Sequence, residues 1–172
     1  MDYKHKKIET RRPFQDQSPS KMDFVELDDS HYECVKGVFK AAFDQEKYPE
    51  DDLKVSWDYR SHENSFGFLL KGKLFGFVLA SFHKKNGKNM YIDYIALAPE
   101  FRGNGLGSSL MTLLIKKCYK EGGSLHLFPE RQSLHAWYER YGFYKTTKNY
   151  LTFHSYGTRR QSPAHSRLGL KK

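Results

Sequence analysis

Cysteines are few in this 172-residue chain, and long apolar runs are absent. Cys34 and Cys118 are its two cysteines, and neither their spacing nor that of the eight histidines fits a metal site. We expect both to be small buried residues in a reducing compartment, with a disulfide the less favoured alternative. No segment approaches the roughly 20 apolar residues that cross a bilayer, and no secretory signal is visible. These absences predict an intracellular protein, cytoplasmic or nuclear, with no membrane span and no bound metal.

Positive charge is concentrated at the two ends of the chain. The formal net charge is +9, of which residues 1–21 and 156–172 together carry +8. Both segments are polar and offer little to bury, so we expect disordered basic tails around one folded domain at 22–155. Such tails can contact nucleic acid or an acidic protein surface, although solvated extensions are the simpler interpretation.

Hydrophobic periodicity within 22–155 predicts a mixed α/β domain. Ser30 is the predicted N-cap of the first helix, and Pro49 is expected to open the second. The predicted order is a strand at 23–27, a helix at 31–43, the helix opened by Pro49, strands at 66–70, 74–82 and 90–97, a helix at 106–119, a strand at 124–128, a helix at 131–141, and strands at 143–147 and 150–154.

The most informative segment joins a strand to a helix through glycines. A strand-like run at 91–97 is followed by a glycine-rich turn at 102–107, which opens directly into an apolar-periodic helix. This order presents free backbone N–H groups and the positive end of the helix dipole, which together favour a phosphate or pyrophosphate. Gly105 and Gly107 would let that ligand approach the main chain closely.

Two motifs carry a family resemblance. The stretch Arg102-Gly103-Asn104-Gly105-Leu106-Gly107 resembles the Q/R-x-x-G-x-G/A signature of the GCN5-related N-acetyltransferases (GNAT), which hold the pyrophosphate of acetyl-CoA there. Trp137-Tyr138-Glu139-Arg140-Tyr141-Gly142-Phe143 resembles the second signature of that family. The motifs stand in the expected order with a short strand between them. The resemblance covers residues 22–153.

The resemblance implies a fold and a cosubstrate. The implied fold is a mixed, mostly antiparallel twisted sheet with about four helices, in which a central parallel strand pair splays apart to admit the pantetheine arm. The implied cosubstrate is acetyl-CoA, with the oxyanion of the reaction held by a backbone N–H near 96–98. The predicted coenzyme-binding residues are Leu97, Ala98, Arg102, Gly103, Asn104, Gly105, Leu106, Gly107, Ser108 and Tyr138.

Acetyl transfer to an amine needs a base and an acid. A primary amine with a pKa near ~10 is protonated at neutral pH, so a base must remove its proton. Asp93 is our candidate because it is the acid in an otherwise apolar strand, where desolvation would raise its pKa. A structural Asp93 that accepts backbone hydrogen bonds is the alternative. Tyr138 matches the tyrosine of the family that hydrogen-bonds the coenzyme sulfur, and its phenol can donate to the departing thiolate; Tyr141 is its nearest competitor.

One residue departs from the family pattern. Many relatives place an Asn eight residues before the tyrosine to bind the pantetheine arm, where this chain has Glu130. That departure puts coenzyme contact at this point in doubt. His126 and His135 are predicted to be packing or surface residues.

The acceptor is predicted from charge. Residues 42–63 form an acidic segment that would attract a cationic amine, although a solvated helix face is an equal alternative. Its acids are Asp44, Glu46, Glu50, Asp51, Asp52, Asp58 and Glu63. We therefore expect an N-acetyltransferase for a cationic small molecule or polyamine. The alternatives are a protein lysine or N-terminal acetyltransferase and a non-catalytic GNAT-fold module. Exposed edge strands would allow a homodimer.

Overall fold

A computed structural model describes residues 22–82, 89–146 and 150–155. The predicted tails at 1–21 and 156–172 lie outside the described residues. The strands are β1 (Met22–Glu26), β2 (Phe66–Leu70), β3 (Lys73–Phe82), β4 (Asn89–Leu97), β5 (Ser124–Leu127), β6 (Tyr144–Lys145) and β7 (Leu151–His154). The α-helices are α1 (Tyr32–Ala42), α2 (Glu50–Asp58), α3 (Leu106–Glu121) and α4 (His135–Glu139).

The described strands form one sheet in the order β1-β2-β3-β4-β5-β7-β6. The pair β4/β5 is parallel and every other neighbouring pair is antiparallel. A parallel pair needs a crossover, and α3 supplies it between β4 and β5. The predicted mixed, mostly antiparallel sheet with a central parallel pair and four helices is confirmed.

Two apolar cores lie on opposite faces of the sheet. One core packs α3 and α4 against β3, β4, β5 and β7, with Leu110, Met111 and Leu114 fully buried on α3. The other packs α1 and α2 against β3 and β4, with Phe39 and Leu53 at its centre. Because helices cover both faces of the sheet, β3 is buried along most of its length. The sheet can therefore act as a rigid platform for the ends of β4 and β5.

Two local expectations were wrong. Ser30 does not cap α1: the Asp28 carboxylate accepts the Ser30 N–H at 2.9 Å and caps a short 3-10 turn at 29–31, and α1 then begins after His31 without a side-chain cap. Cys34 is exposed on α1 and not buried, whereas Cys118 is buried on α3 as expected, and both are free thiols. In the part of the chain that the structure describes, no helix is long and apolar enough to span a bilayer.

Candidate functional site

A β-bulge in β4 sets the geometry of the site. Leu79 pairs with Tyr94 and Ala80 pairs with Ile92, so Asp93 is an extra residue with no β3 residue opposite it in the strand register. Such a bulge re-aims the side chains that follow it. Before the bulge, Ile92 belongs to the core under α3; after it, Tyr94 packs in the core under α1 and α2.

The parallel pairing of β4 ends beside the bulge. The register with β5 runs from Asn89 opposite Ser124 to Ile92 opposite Leu127 and goes no further. The last part of β4, from Asp93 to Leu97, therefore continues without β5 at its side. This is the splay that the family resemblance implied, and it leaves a gap between the two strands.

The glycine-rich turn lies at the end of this unpaired part of β4. Gly103 and Gly105 have φ values of +82° and +78°, a left-handed conformation that favours glycine. Gly105 is also the N-cap of α3, and no side chain caps that end. The turn thus delivers the amino end of a 16-residue helix, with its unpaired N–H groups, to the gap.

Arg102 ties the turn to two neighbouring elements. Its Nε donates to the carbonyl oxygen of Leu97 at 3.2 Å, and its terminal nitrogen donates to the carbonyl oxygen of Ala42 at 3.2 Å. These bonds join the end of β4 to the end of α1. Because the guanidinium bridges both, Arg102 positions the walls of the gap.

A cavity of about 410 Å³ fills the gap, and we call it the glycine-loop cavity. It takes in seven of the predicted coenzyme-binding residues, namely Leu97, Arg102, Gly103, Gly105, Gly107, Ser108 and Tyr138. Trp137, from the second motif, also lines it, together with Phe43 and Leu134. Phe43 and Leu134 are apolar residues remote from both motifs, so no local pattern marks them.

Three predicted coenzyme-binding residues are not brought into the lining of this cavity. Asn104 and Leu106 belong to the same turn but are not among its lining residues. Ala98 lines a different cavity, between α1 and the β2–β3 turn, and its N–H donates to the carbonyl oxygen of Phe75 at 2.8 Å. Because successive N–H groups of a strand alternate in direction, this bond leaves the N–H of Leu97 on the side of the gap. Leu97 is thus better placed than Ala98 to hold an oxyanion.

Asp93 lines a second, smaller cavity of about 80 Å³, which we call the Asp93 pocket. Asp93 is exposed by surface area, yet protein atoms surround its carboxylate closely enough that desolvation raises its pKa above the ordinary value. A hydrogen bond from the Ser81 side chain acts in the opposite direction and is the smaller effect. An acid with a raised pKa is suited to accept a proton.

Tyr138 lines both cavities, so it lies where they meet. It is buried on α4, between the rings of Trp137 and Phe143. Burial, helped by the negative charge of Glu130, raises the pKa of Tyr138 to about 12. Its phenol therefore keeps its proton at physiological pH and can act as a hydrogen-bond donor. Tyr141, the competitor on sequence grounds, is not among the lining residues of either cavity.

His126 has a more specific setting than its sequence position suggested. It lies on β5 in a chain of side-chain contacts, with Ser124 Oγ at 2.7 Å from Nε2 and Thr152 Oγ1 at 3.0 Å from Nδ1. Its ring stacks on Tyr91 of β4, with 5.0 Å between centroids. Burial lowers the pKa of His126, which favours the neutral imidazole. The alternation of polar and apolar residues along β5 is the signal that places His126 away from the α3 core.

The comparisons with known proteins agree with this geometry. A family model described as "Acetyltransferase (GNAT) family" matches residues 24–143. A GNAT family acetyltransferase from Brucella melitensis, solved with acetyl-CoA, is similar with a TM-score of 0.64 and 15% identity, over 79% of this chain and 89% of that chain. No curated protein matches in sequence.

Two further structures are similar at the level of fold. The ribosomal-protein-S18-alanine N-acetyltransferase from Escherichia coli gives a TM-score of 0.60 and 19% identity, over 77% of this chain and 91% of that chain. Naa50 from Arabidopsis thaliana, solved with the bisubstrate analogue CoA-Ac-MVNAL, gives a TM-score of 0.54 and 17% identity, over 77% of this chain and 97% of that chain. The family model covers well over half of the chain, from β1 to the residue before β6. The chain therefore belongs to the GNAT family of N-acetyltransferases.

Proposed function

We propose that the chain transfers the acetyl group of acetyl-CoA to a primary amine, with Asp93 as the base and Tyr138 as the acid. The main support is that the glycine-loop cavity adjoins the Asp93 pocket and shares Tyr138 with it. A thioester in the first cavity would thus face an amine in the second.

Each step of this reaction has a candidate group. Asp93, directly or through a water, takes a proton from the ammonium, and the free amine attacks the thioester carbonyl. A C–N bond forms, and the oxyanion is held by the N–H of Leu97. The C–S bond then breaks, and the thiolate takes the proton of Tyr138. The amide nitrogen gives its second proton, directly or through a water, to the Tyr138 phenolate, which restores the acid. The Gly103–Gly107 turn and the amino end of α3 would hold the pyrophosphate.

A cationic small molecule or polyamine is the acceptor that we favour. Part of the acidic segment is neutralised, since Glu50 pairs with Lys36 and Lys40, and Asp58 pairs with Lys54. Asp51 and Asp52 are exposed on α2. After burial, the charge of Asp52 is the largest cause of the raised pKa of Tyr94, which lines the Asp93 pocket. Negative charge thus remains close to the place where an amine would enter.

A protein acetyltransferase is the second candidate. His126 and Tyr91 lie opposite each other on the parallel pair β4/β5, one residue before Ile92 and close to Asp93, as polar groups that a peptide acceptor could contact. Two of the similar structures are named for, or solved with, peptide or protein acceptors. Rates with short basic peptides and with free polyamines would separate the two candidates.

The test begins with coenzyme binding. Acetyl-CoA should raise the thermal midpoint, because a ligand that binds the folded state alone stabilises it. Asp93→Asn should keep that shift but lose about 10²-fold or more in kcat. Asp23→Asn, on the distant edge strand β1, is the matched control and should keep full activity.

The outcomes separate the readings. No shift with acetyl-CoA would refute the coenzyme assignment. A shift without turnover of any amine or peptide would favour the non-catalytic module. Equal rates for Asp93→Asn and wild type would remove Asp93 from the role of base.

A further inference from the structure

We propose that Glu130 recognises the positive charge of the acceptor, so that the Asp93 pocket selects an alkylammonium ion over an uncharged amine. This inference rests on the proposed function and assigns the substrate class of the same site. It gives Glu130 a place on the acceptor side, whereas the family pattern has a coenzyme-binding Asn at that position.

The location of Glu130 supports this role. Five residues line both cavities, namely Phe43, Ile95, Glu130, Leu134 and Tyr138, and Glu130 is the charged one among them. It therefore lies at the junction where an amine would meet a thioester. The effect of its charge on the pKa of Tyr138 agrees with this closeness.

The Asp93 pocket has the chemistry of a cation site. Two carboxylates line it, Asp93 from β4 and Glu130 from the segment after β5. Its other lining groups include five aromatic side chains, namely Phe43, Tyr48, Tyr94, Phe128 and Tyr138. Aromatic faces attract cations and also pack against alkyl stems. Since a water molecule occupies about 30 Å³ of the liquid, a cavity of about 80 Å³ takes an ammonium head with a few methylene groups.

The two carboxylates of the pocket can serve two different roles, namely recognition of the ammonium ion and its deprotonation. Asp93 takes the proton of the ammonium and so acts when the acceptor loses its charge. Glu130 takes no proton in that step, and its role comes earlier, when the acceptor is still a cation. Recognition and deprotonation thus fall to different groups.

The neighbouring arginine leaves the Glu130 carboxylate available. Arg131 Nε is 3.8 Å from Glu130 Oε2, which is longer than a hydrogen bond, and the Arg131 side chain is 62% exposed. Exposed pairs of this kind are worth ~0–1 kcal/mol. An ammonium ion that enters the pocket can therefore compete for the carboxylate.

The experiment compares two acceptors in Glu130→Gln, which keeps the shape and removes the charge. An alkylamine is protonated at pH 7.5, whereas an aromatic amine is uncharged. For the alkylamine we expect kcat/KM to fall tenfold or more; for the aromatic amine it should stay within twofold. The KM for acetyl-CoA should not change. Glu130→Asn should behave in the same way. Glu139→Gln, an exposed change on α4 that lines neither cavity, is the control and should match wild type.

Three results would overturn the inference. Equal losses with both amines, together with a raised KM for acetyl-CoA, would place Glu130 on the coenzyme side. Wild-type kinetics in both variants would leave it without a role. If the wild type binds acetyl-CoA but acetylates neither amine nor any other primary amine, the proposed function itself fails and takes this inference with it. The thermal midpoints of the variants show whether a lower rate with the alkylamine comes from loss of cation recognition or from loss of folding.

Discussion

Substitution of Gly107 should move folding stability and coenzyme affinity in opposite directions. Gly107 is the second residue of α3 and lines the glycine-loop cavity. A Cβ at this position would lie 3.7 Å from Leu97 Cδ1 and 3.7 Å from Trp137 Cζ2, which is ordinary van der Waals contact. The fold therefore accepts alanine without strain.

The expected magnitudes follow from this setting. Alanine in place of glycine stabilises a helix by about 0.5–1 kcal/mol. In a domain of this size, that gain raises the thermal midpoint by about 1–4 °C. The same methyl group enters the cavity where a pyrophosphate would approach the main chain. Loss of one charge-assisted hydrogen bond costs about 1.5–3 kcal/mol, so the Kd for coenzyme A should rise about 10- to 100-fold.

The assay combines thermal denaturation with calorimetric titration of coenzyme A. Gly37→Ala is the matched control, because Gly37 is an exposed glycine within α1 with open space around its ideal Cβ. It should give a similar helix stabilisation with an unchanged Kd. If Gly107→Ala gains stability and keeps the wild-type Kd, the assignment of the coenzyme pyrophosphate to this turn is refuted.

Three further predictions concern single side chains. Desolvation raises the pKa of Asp93 in the folded state, so at a pH above the unfolded pKa its ionisation lowers the free energy of unfolding. Asp93→Asn should therefore have a higher thermal midpoint than wild type at pH 7. This difference in midpoint should shrink as the pH falls toward 4. A pH-independent difference would contradict that sign. Tyr138→Phe should lower kcat by about 10²-fold with little change in the KM for acetyl-CoA, measured by thiol release, and an unchanged kcat would exclude Tyr138 as the acid. Arg60 is buried and donates to the carbonyl oxygens of Trp57 at 2.8 Å and Leu27 at 3.4 Å, so Arg60→Met should cost about 2–3 kcal/mol in urea denaturation. Lys54→Ala, which removes an exposed ion pair, should cost about 0.5 kcal/mol or less, and equal costs for the two would refute the role of burial.

Sequence patterns predicted the parts of the fold that depend on local chemistry. The glycine turn and the helix after it could be predicted, because glycine is the residue that readily adopts positive φ values and leaves the start of a helix open to a ligand. The order of strands and helices follows from periodicity. Strand ends differ from the prediction by a few residues. The predicted cap at Ser30 also differs, because Asp and Ser are both good capping residues and Asp28 caps the 3-10 turn before α1.

The remaining features depend on contacts between distant segments. The bulge at Asp93 arises from the register of β4 against β3, which no window of β4 alone reveals. The contacts of His126 require β5 to lie between β4 and β7. The closeness of Glu130 to Asp93 requires the parallel pairing of β4 and β5, since the two acids lie far apart in the chain. Sequence could name these residues but could not bring them together.

The bulge itself bears on the two readings of Asp93. If Asp93 were deleted, Ile92 and Tyr94 would be successive residues of a regular strand, and their side chains would still point to opposite faces of the sheet. Ile92 then stays in the core under α3, and Tyr94 stays in the core under α1 and α2, as both do now. The packing therefore does not require the extra residue, although the bulge interrupts the pairing with β3. An extra residue that the cores can do without, placed where β4 leaves β5, supports the proposed role of its carboxylate.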